Sequence, residues 1–246
     1  MRSSNAELYG KGIFTTVAIR AGAPLFWDKH WPRLKRDSAK VGIDMSAFAE
    51  NIVVGKLEQA LQDDGVRDGR ARITFLDQRA GLYWPSVSVE NTAMSIITAE
   101  RRSLPPKFSL TESPYRVNQH SPLTGVKSCN YLENILAIEE VRLRGFNEGI
   151  RINDHGEMTG GCMSNIYWLK QGVLFTPHVS TGCLPGTTRE YIIENLVCEE
   201  VNAPIDTLTA VDAVFLSSAG LGVVRVNDLD HRALDPIEHP ILHLVP

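Results

Sequence analysis

A lysine at position 127 stands immediately before a predicted helix, in the segment GVKSCNY at 125–131. A lysine amine becomes a useful nucleophile once it is buried, because the loss of solvent lowers its pKa and frees the nitrogen lone pair. The alternative is a solvated lysine at a helix start, which is the commoner situation for a lysine taken by itself. Lys127 is therefore a candidate nucleophile that needs support from other residues.

Two further features suit an anionic group such as phosphate. The segment GTTR at 186–189 opens a predicted helix directly after a glycine. Helix N-termini point free N–H groups at anions, and the hydroxyls of Thr187 and Thr188 would add donors. Thr187 as an ordinary N-cap is the alternative. Arg33 lies on the first predicted helix; its guanidinium fork suits phosphate or carboxylate, and a surface ion pair is the alternative.

The elements that must position these residues follow from the hydrophobic pattern. Residues 13–20 alternate and are rich in β-branched side chains, so they predict a strand. The same reasoning predicts strands at 25–27, 70–76, 91–99, 148–152, 164–169, 173–176, 212–217 and 222–226, and helices at 28–42, 46–62, 130–144 and 187–199. The helix at 130–144 has an apolar set to bury, namely Leu132, Ile135, Leu136, Ile138 and Val141.

The domain organisation is predicted from one polar stretch rich in proline and serine, residues 103–122. We expect a small N-terminal α/β domain over 1–104, a linker over 105–122, and a larger C-terminal domain over 123–246 that binds the cofactor. The predicted fold class is α+β.

Five motifs together resemble one family, the fold-type IV pyridoxal phosphate enzymes. The similar segments run from Tyr9 to Val226 and are YGKGIFTT, HWPRL, SPLTGVKSCNYLENILAIEE, TGGCMSNIYW with LFTP, GCLPGTTRE, and DAVFLSSAG. That family contains branched-chain aminotransferases, D-amino acid aminotransferases and aminodeoxychorismate lyases. The resemblance implies a two-domain fold whose larger domain has a strongly twisted or barrel-like sheet. It also implies pyridoxal 5′-phosphate as the cofactor and a homodimer as the assembly.

The resemblance assigns roles to the residues singled out above. Lys127 would be the Schiff-base lysine, and Arg33 would hold the cofactor phosphate together with Thr187 and Thr188. Three more cofactor contacts are implied less directly: Ser218 near the same phosphate, Tyr131 near the phenolic oxygen, and Thr159 near the ring nitrogen. For Tyr131, a tyrosine that simply packs within its helix is the alternative.

One departure from the family lies beside the ring nitrogen. Members normally carry a glutamate in a Thr-Glu-Gly stretch, whereas this chain has Thr159-Gly160-Gly161. An anion against the nitrogen raises its pKa and keeps it protonated, and a protonated ring is the better electron sink. Three interpretations stay open: Thr159 is a neutral partner, Glu157 reaches in, or the enzyme is weak or inactive.

The choice of reaction rests on the segment GIFTT at 12–16, which looks more like the lyase branch than the aminotransferase branch. By this resemblance the chain eliminates pyruvate from aminodeoxychorismate to leave 4-aminobenzoate, a step of the folate pathway. Thr16 would relay a proton and Lys127 would be the general base. A threonine pair that only reflects β-propensity is the alternative for Thr16. An aminotransferase and a relative without turnover are the competing functions.

A substrate with two carboxylates needs basic residues facing it. We predict Arg72, Arg79 and Arg116 for this role. Arg70 and Arg72 alternate in a predicted strand, so their side chains lie on the same sheet face, although a solvated strand edge would explain them equally well.

Composition narrows the remaining classes. The net charge of −4 argues against a protein that binds the nucleic-acid backbone. No apolar run approaches the roughly 18–20 residues that span a bilayer, and residues 1–12 lack the apolar core of a secretory signal. The cysteines at 129, 162, 183 and 198 include no C-x-x-C pair, so we predict free thiols and no metal site. The expected protein is soluble and cytoplasmic.

Overall fold

The computed structural model describes residues 3–79 and 91–245 of the chain. It divides into two compact units. Unit 1 comprises Met1–Arg102 together with Val126–Tyr131, and unit 2 comprises Ser103–Gly125 together with Leu132–Pro246. Within the described residues, no helix is both long and apolar enough to cross a membrane.

Unit 1 is a four-stranded antiparallel sheet with two long helices against one face. Its elements are α1 (Asn5–Tyr9), β1 (Gly12–Arg20), β2 (Ala23–Pro24), α2 (Trp27–Val41), α3 (Glu50–Asp63), β3 (Gly69–Asp77) and β4 (Thr92–Glu100). The strands lie in the order β2-β1-β3-β4.

The core of unit 1 follows from the alternation of its strands. Ile13, Val17 and Ile19 of β1 are fully buried and pack with Leu34 of α2 and Leu57 of α3. Because successive side chains point to opposite faces, the opposite face of the same sheet carries Phe14 and Thr16 from β1 and Arg70 and Arg72 from β3.

Unit 2 contains two five-stranded mixed sheets that share one hydrophobic core. Its elements are β5 (Ser109–Glu112), α4 (Leu132–Leu143), β6 (Glu148–Ile152), β7 (Met158–Gly161), β8 (Asn165–Lys170), β9 (Val173–Pro177), α5 (Thr187–Asn195), β10 (Cys198–Val201), β11 (Ala213–Ser218), β12 (Gly222–Arg225), β13 (Asp228–Leu229), β14 (Arg232–Ala233) and α6 (Ile241–Leu244), with 3-10 helices at Val179–Thr181 and Ile205–Ala210. The sheet orders are β10-β9-β8-β11-β12 and β14-β13-β5-β6-β7. Ile150 and Met158 from one sheet pack with Trp168 and Leu216 from the other.

The structure corrects the predicted domain boundaries. The stretch 105–122 is not a linker, since Ser109–Glu112 pairs in parallel with β6 inside unit 2. Lys127 does not belong to the larger domain either, because Val126–Tyr131 is part of unit 1. The physical reason is a short edge pairing: Ile13 and Ser128 form an antiparallel bridge along β1.

Several predicted elements are also corrected. The strand predicted at 25–27 is absent, since β2 is Ala23–Pro24 and Trp27 already begins α2. The helix predicted at 187–199 ends at Asn195, and Cys198–Val201 pairs in parallel with β9 instead. In α4, only Ile138 and Val141 of the predicted apolar set are buried, whereas Leu132, Ile135 and Leu136 are exposed.

Candidate active site

The backbone of Lys127 is held on both sides within unit 1. Its N–H donates to Oδ2 of Asp37 on α2 at 3.1 Å, and its carbonyl accepts from the N–H of Phe14 on β1 at 2.9 Å. Two residues later, the N–H of Cys129 donates to the carbonyl of Gly12 at 2.8 Å. The segment thus extends the sheet at the edge of β1 that β2 leaves uncovered.

The Lys127 amine lies against two aromatic rings. Its Nζ is 4.7 Å from the ring centroid of Phe14, 4.8 Å from that of Tyr131, and 3.3 Å from the Tyr131 hydroxyl. The guanidinium carbon of Arg72 lies 3.6 Å from the same Phe14 centroid. Thr16 faces Arg72 directly across the β1–β3 ladder. The sheet face therefore brings the Lys127 amine and the Arg72 guanidinium together at the Phe14 ring, with Thr16 opposite Arg72 on the neighbouring strand.

The surroundings of this amine favour its neutral form. Desolvation lowers the pKa of Lys127 to about 7, and the charges of Arg33 and Arg72 act in the same direction, while Asp37 opposes them. An ordinary lysine is almost fully protonated at neutral pH. Lys127 can therefore act as a nucleophile or proton acceptor under conditions in which other lysines cannot.

This perturbation predicts a distinct reactivity for Lys127 in the full chain before cofactor is added. Labelling with acetic anhydride between pH 5.5 and 10, followed by peptide mass spectrometry, should give a midpoint near pH 7 for Lys127, because only the neutral amine reacts. The exposed Lys56 of α3, measured in the same digests, serves as the internal reference for loss of reagent. A Lys127 midpoint of roughly 10.4, the ordinary value for a lysine, would contradict the burial argument.

Arg33 is buried and oriented by its neighbours. Its Nη2 donates to Oγ1 of Thr15 at 2.6 Å, and the same oxygen lies 2.6 Å from Nδ1 of His30. Burial holds the pKa of His30 well below its ordinary value, and the charges of Arg33 and Lys127 add to this effect. A neutral imidazole can accept the Thr15 hydroxyl hydrogen while that oxygen accepts from Arg33.

Unit 2 contains a helix N-terminus with the properties of an anion site. Thr187 and Thr188 open α5 directly after Gly186, and both threonine side chains are buried. Asn165 donates to the carbonyl of Leu184 at 2.9 Å, and a Cβ at Gly186 would stand 2.2 Å from Asn165 Oδ1. A side chain at position 186 would require Asn165 to shift, so glycine allows a close backbone approach where the N-terminal N–H groups of α5 begin.

Ser218 lies at the end of β11, in the same unit. Its Oγ accepts from the N–H of Leu221 at 3.2 Å, within the turn that leads to β12. The predicted role of Ser218 at the phosphate stays a prediction.

Sequence reasoning missed Glu148, which fixes the turn before Asn165. Its carboxylate accepts from the N–H groups of Gly149, Cys162 and Met163 and from the hydroxyl of Ser164. Burial raises the pKa of Glu148, although these four donors oppose that shift. The only signal in the sequence is an acidic residue at the start of a short strand that contains Ile150 and Ile152.

Gly160 takes the place of the family's glutamate, and its neighbour across the sheet is basic. Across the β6–β7 ladder, Gly160 faces Arg151, whose buried guanidinium donates to the carbonyls of Tyr115 and Arg116 and pairs with Glu133. Gly160 has a φ of 148°, and a Cβ there would lie 3.0 Å from the Ser164 carbonyl oxygen. A glutamate at position 160 would therefore be strained.

The two groups offered as substitutes for the missing carboxylate have other partners. The Thr159 hydroxyl donates to the Arg151 carbonyl at 3.1 Å. The Glu157 carboxylate accepts from Asn153 at 2.8 Å and from Asn202 at 3.1 Å, so the reading in which Glu157 reaches in loses support. Thr159 stays a prediction as a ring contact.

The three arginines predicted to bind substrate differ in their surroundings. Arg72 lies over the Phe14 ring, as does the Lys127 amine. Arg79 instead forms a two-point pair with Asp77, with Nε 2.8 Å from Oδ1 and Nη2 2.6 Å from Oδ2. Arg116 belongs to unit 2, where it donates to the Asn153 carbonyl at 3.0 Å. Arg72 is therefore the best supported of the three.

Comparison with known families decides what this arrangement is. The family described as amino-transferase class IV matches residues 12–229. The chain belongs to the class IV aminotransferase family. The predicted resemblance is thus confirmed, and members of this family use pyridoxal phosphate.

Individual relatives of this class IV chain carry different activities. Aminodeoxychorismate lyase of Bacillus subtilis (strain 168) is 27% identical over 233 residues, covering 91% of this chain and 79% of the relative. D-alanine aminotransferase of Bacillus licheniformis is also 27% identical, over 236 residues, covering 92% and 81%. The branched-chain amino acid aminotransferase of Escherichia coli has a TM-score of 0.89 at 21% identity, covering 98% of this chain and 86% of that one. The last likeness confirms the α+β fold with a curled half-barrel sheet.

The donors within each unit fit the chemistry of pyridoxal phosphate. Unit 1 presents the Lys127 amine, largely neutral at physiological pH, with the aromatic rings of Phe14 and Tyr131 and the oriented guanidinium of Arg33. Unit 2 presents the α5 N-terminus with its glycine approach, a site suited to phosphate. In the described ranges 3–79 and 91–245, no group of three or more His, Cys, Asp or Glu side chains is placed to hold a metal ion.

Proposed function

We propose that this class IV chain is a pyridoxal phosphate-dependent 4-amino-4-deoxychorismate lyase that releases pyruvate and leaves 4-aminobenzoate. The observation that carries the proposal is the Phe14 face, where Thr16 lies opposite Arg72 and the Lys127 amine lies on the same ring as Arg72. An elimination needs a base, a proton donor and a group that holds the substrate carboxylate, and this face supplies one of each.

The bound cofactor would withdraw electrons from the carbon whose proton is removed. Lys127, with a pKa of about 7, suits a general base at neutral pH. The half-buried Thr16 hydroxyl suits the return of a proton to the leaving enolate carbon. The guanidinium of Arg72, held on Phe14 and donating to Thr74 Oγ1 at 3.3 Å, suits a substrate carboxylate.

The β6–β7 ladder supports elimination over amino-group transfer. Position 160 has no carboxylate, and Arg151, which is paired with it across the ladder, already forms an ion pair with Glu133. Without an anion at position 160, a ring nitrogen held there would lose the charge that keeps it protonated, which weakens the electron sink that amino-group transfer requires. An elimination whose leaving group departs readily tolerates this weaker sink better.

An aminotransferase is the alternative, supported by the equal identity to D-alanine aminotransferase. A test measures the two reactions in separate assays on the protein loaded with pyridoxal phosphate. With aminodeoxychorismate as the only substrate, we expect equal amounts of pyruvate and 4-aminobenzoate. Amino acids are left out of this assay, because transfer from D-alanine also yields pyruvate. A second assay supplies an amino acid as the donor and 2-oxoglutarate as the acceptor. Amino-group transfer in this second assay, with no pyruvate or 4-aminobenzoate released from aminodeoxychorismate in the first, would refute the lyase.

The role of Thr16 is tested in the same assay. Thr16→Val should lower turnover about 100-fold, the usual contribution of a positioned acid or base, while Thr16→Ser should retain most of it. Valine keeps the shape and the strand preference of threonine, so equal turnover of Thr16→Val and wild type would leave Thr16 as a purely structural strand residue. The homodimer and the cytoplasmic location remain parts of this proposal.

A further inference from the structure

Asp37 contacts the residue that carries the reactive amine, although it touches no reacting group itself. Its side chain is buried on α2, one helical turn after Arg33. Oδ2 accepts the Lys127 backbone N–H, and Oδ1 accepts from Nε and Nη2 of the half-exposed Arg36 at 3.2 and 3.0 Å. Both carboxylate oxygens are therefore engaged, and the side chain joins α2 to the segment that bears Lys127.

This bond completes the fixation of Lys127. The Lys127 carbonyl is held by β1, since it accepts a hydrogen bond from the Phe14 N–H. A lysine side chain has several rotatable bonds, so its amine can be placed accurately only if its backbone does not move. Without Asp37, the Lys127 N–H would lose its partner from α2.

Asp37 supplies a negative charge near the Lys127 amine, where the neighbouring arginines are positive. Arg33 and His30 face it from α2, Arg72 from β3, and Tyr131 from its own segment. The two guanidinium groups lower the pKa of Lys127, and burial leaves His30 uncharged near neutral pH. Among these groups Asp37 is the one that raises the pKa of Lys127.

We propose that Asp37 is a positioning residue for Lys127, which anchors its backbone and supplies the negative charge that offsets Arg33 and Arg72. The proposal rests on the proposed function only in treating Lys127 as the reactive amine. Two substitutions separate the roles. Asp37→Asn keeps an oxygen that can accept the Lys127 N–H but removes the charge, whereas Asp37→Ala removes both.

The charge is tested by the labelling midpoint of Lys127 with acetic anhydride, in the full chain before cofactor is added. Asp37→Asn should lower the midpoint by about half a pH unit or more, because an opposite charge that favoured the ammonium form is gone. Asp28→Asn is the matched control, since Asp28 lies on the same helix and its side chain is 75% exposed. An unchanged midpoint in Asp37→Asn would overturn the charge role.

The anchor is tested by hydrogen exchange at the Lys127 amide. Exchange should be slow in wild type and in Asp37→Asn, and about tenfold or more faster in Asp37→Ala. Exchange in wild type at the rate of an unprotected amide would overturn the anchor without the need for any variant. Neither measurement depends on turnover, so a chain that fails as a lyase would still confirm or refute the role of Asp37.

Discussion

Lys127→Ala is expected to abolish the cofactor absorbance band at about 410–430 nm and to lower turnover about 1,000-fold or more. The amine of Lys127 is the one that unit 1 desolvates against Phe14 and Tyr131, with a pKa of about 7. Alanine leaves the backbone bonds to Asp37 and Phe14 possible, so the loss should come from the amine alone. Absorbance after addition of pyridoxal phosphate and the pyruvate assay measure the two effects.

Lys56→Ala is the matched control for this variant. Lys56 is exposed on α3, so the substitution removes an amine of the same unit without touching the Phe14 face. It should retain the band and the turnover of wild type. A band of undiminished intensity in Lys127→Ala would show that another lysine holds the cofactor, and the assignment of Lys127 would then be wrong.

Arg33→Gln is expected to weaken the affinity for pyridoxal phosphate about 100-fold. The guanidinium is buried and its orientation is fixed by a hydrogen bond to Thr15, whose oxygen also contacts His30. Binding an anion therefore costs little further side-chain entropy. Charge-assisted hydrogen bonds contribute roughly 1.5–3 kcal/mol each, which corresponds to a change of about 10- to 100-fold in affinity. Titration of the absorbance band against added cofactor gives the dissociation constant.

Two further variants identify the cause of the weakening. Arg33→Lys keeps the charge but loses the fork, and should fall between wild type and Arg33→Gln. Arg67→Gln removes an exposed charge from the same unit and should change nothing. If Arg33→Gln binds the cofactor within twofold of wild type while remaining folded, Arg33 does not hold the phosphate and serves only to pack α2.

The parts of the fold that the sequence predicted well are those set by local pattern. β1 and β3 match the predicted strands to within one residue at each end, because buried apolar residues recur there at alternate positions. α2 ends where Gly42 adopts a left-handed conformation, which glycine adopts at little cost. Such signals depend on a few neighbouring residues, so a single sequence carries them.

The errors concern contacts between residues that are distant in the chain. The strand Ser109–Glu112 was hidden in a polar stretch, because its stability comes from pairing with β6 rather than from its own composition. Lys127 was assigned to the wrong unit, since nothing near it in the sequence reveals the bridge to Ile13. For α4, the apolar period was visible, but the face that would be buried was not.

The candidate site divides in the same way. Lys127 and the GTTR segment are predicted from residue type and position at the start of a helix, and Arg33 from its guanidinium and the motif HWPRL. Asp37, Glu148 and the contact of Thr15 with His30 were missed, although all of these residues are buried. Each acts through partners that folding brings close, and an aspartate on a helix or a glutamate in a strand has no local mark of those partners.

The edge pairing at Lys127 has a consequence for the order in which the protein folds during synthesis. Unit 1 lacks its last segment when Arg102 leaves the ribosome, because Val126–Tyr131 follows the first stretch of unit 2. Until residues 126–129 are synthesised, the N–H of Phe14 lacks the Lys127 carbonyl and the carbonyl of Gly12 lacks the Cys129 N–H. Val126 is also missing from the core. Unit 1 can therefore be completed only after residues 126–131 have been synthesised, so the segment that completes its sheet is the one that carries Lys127.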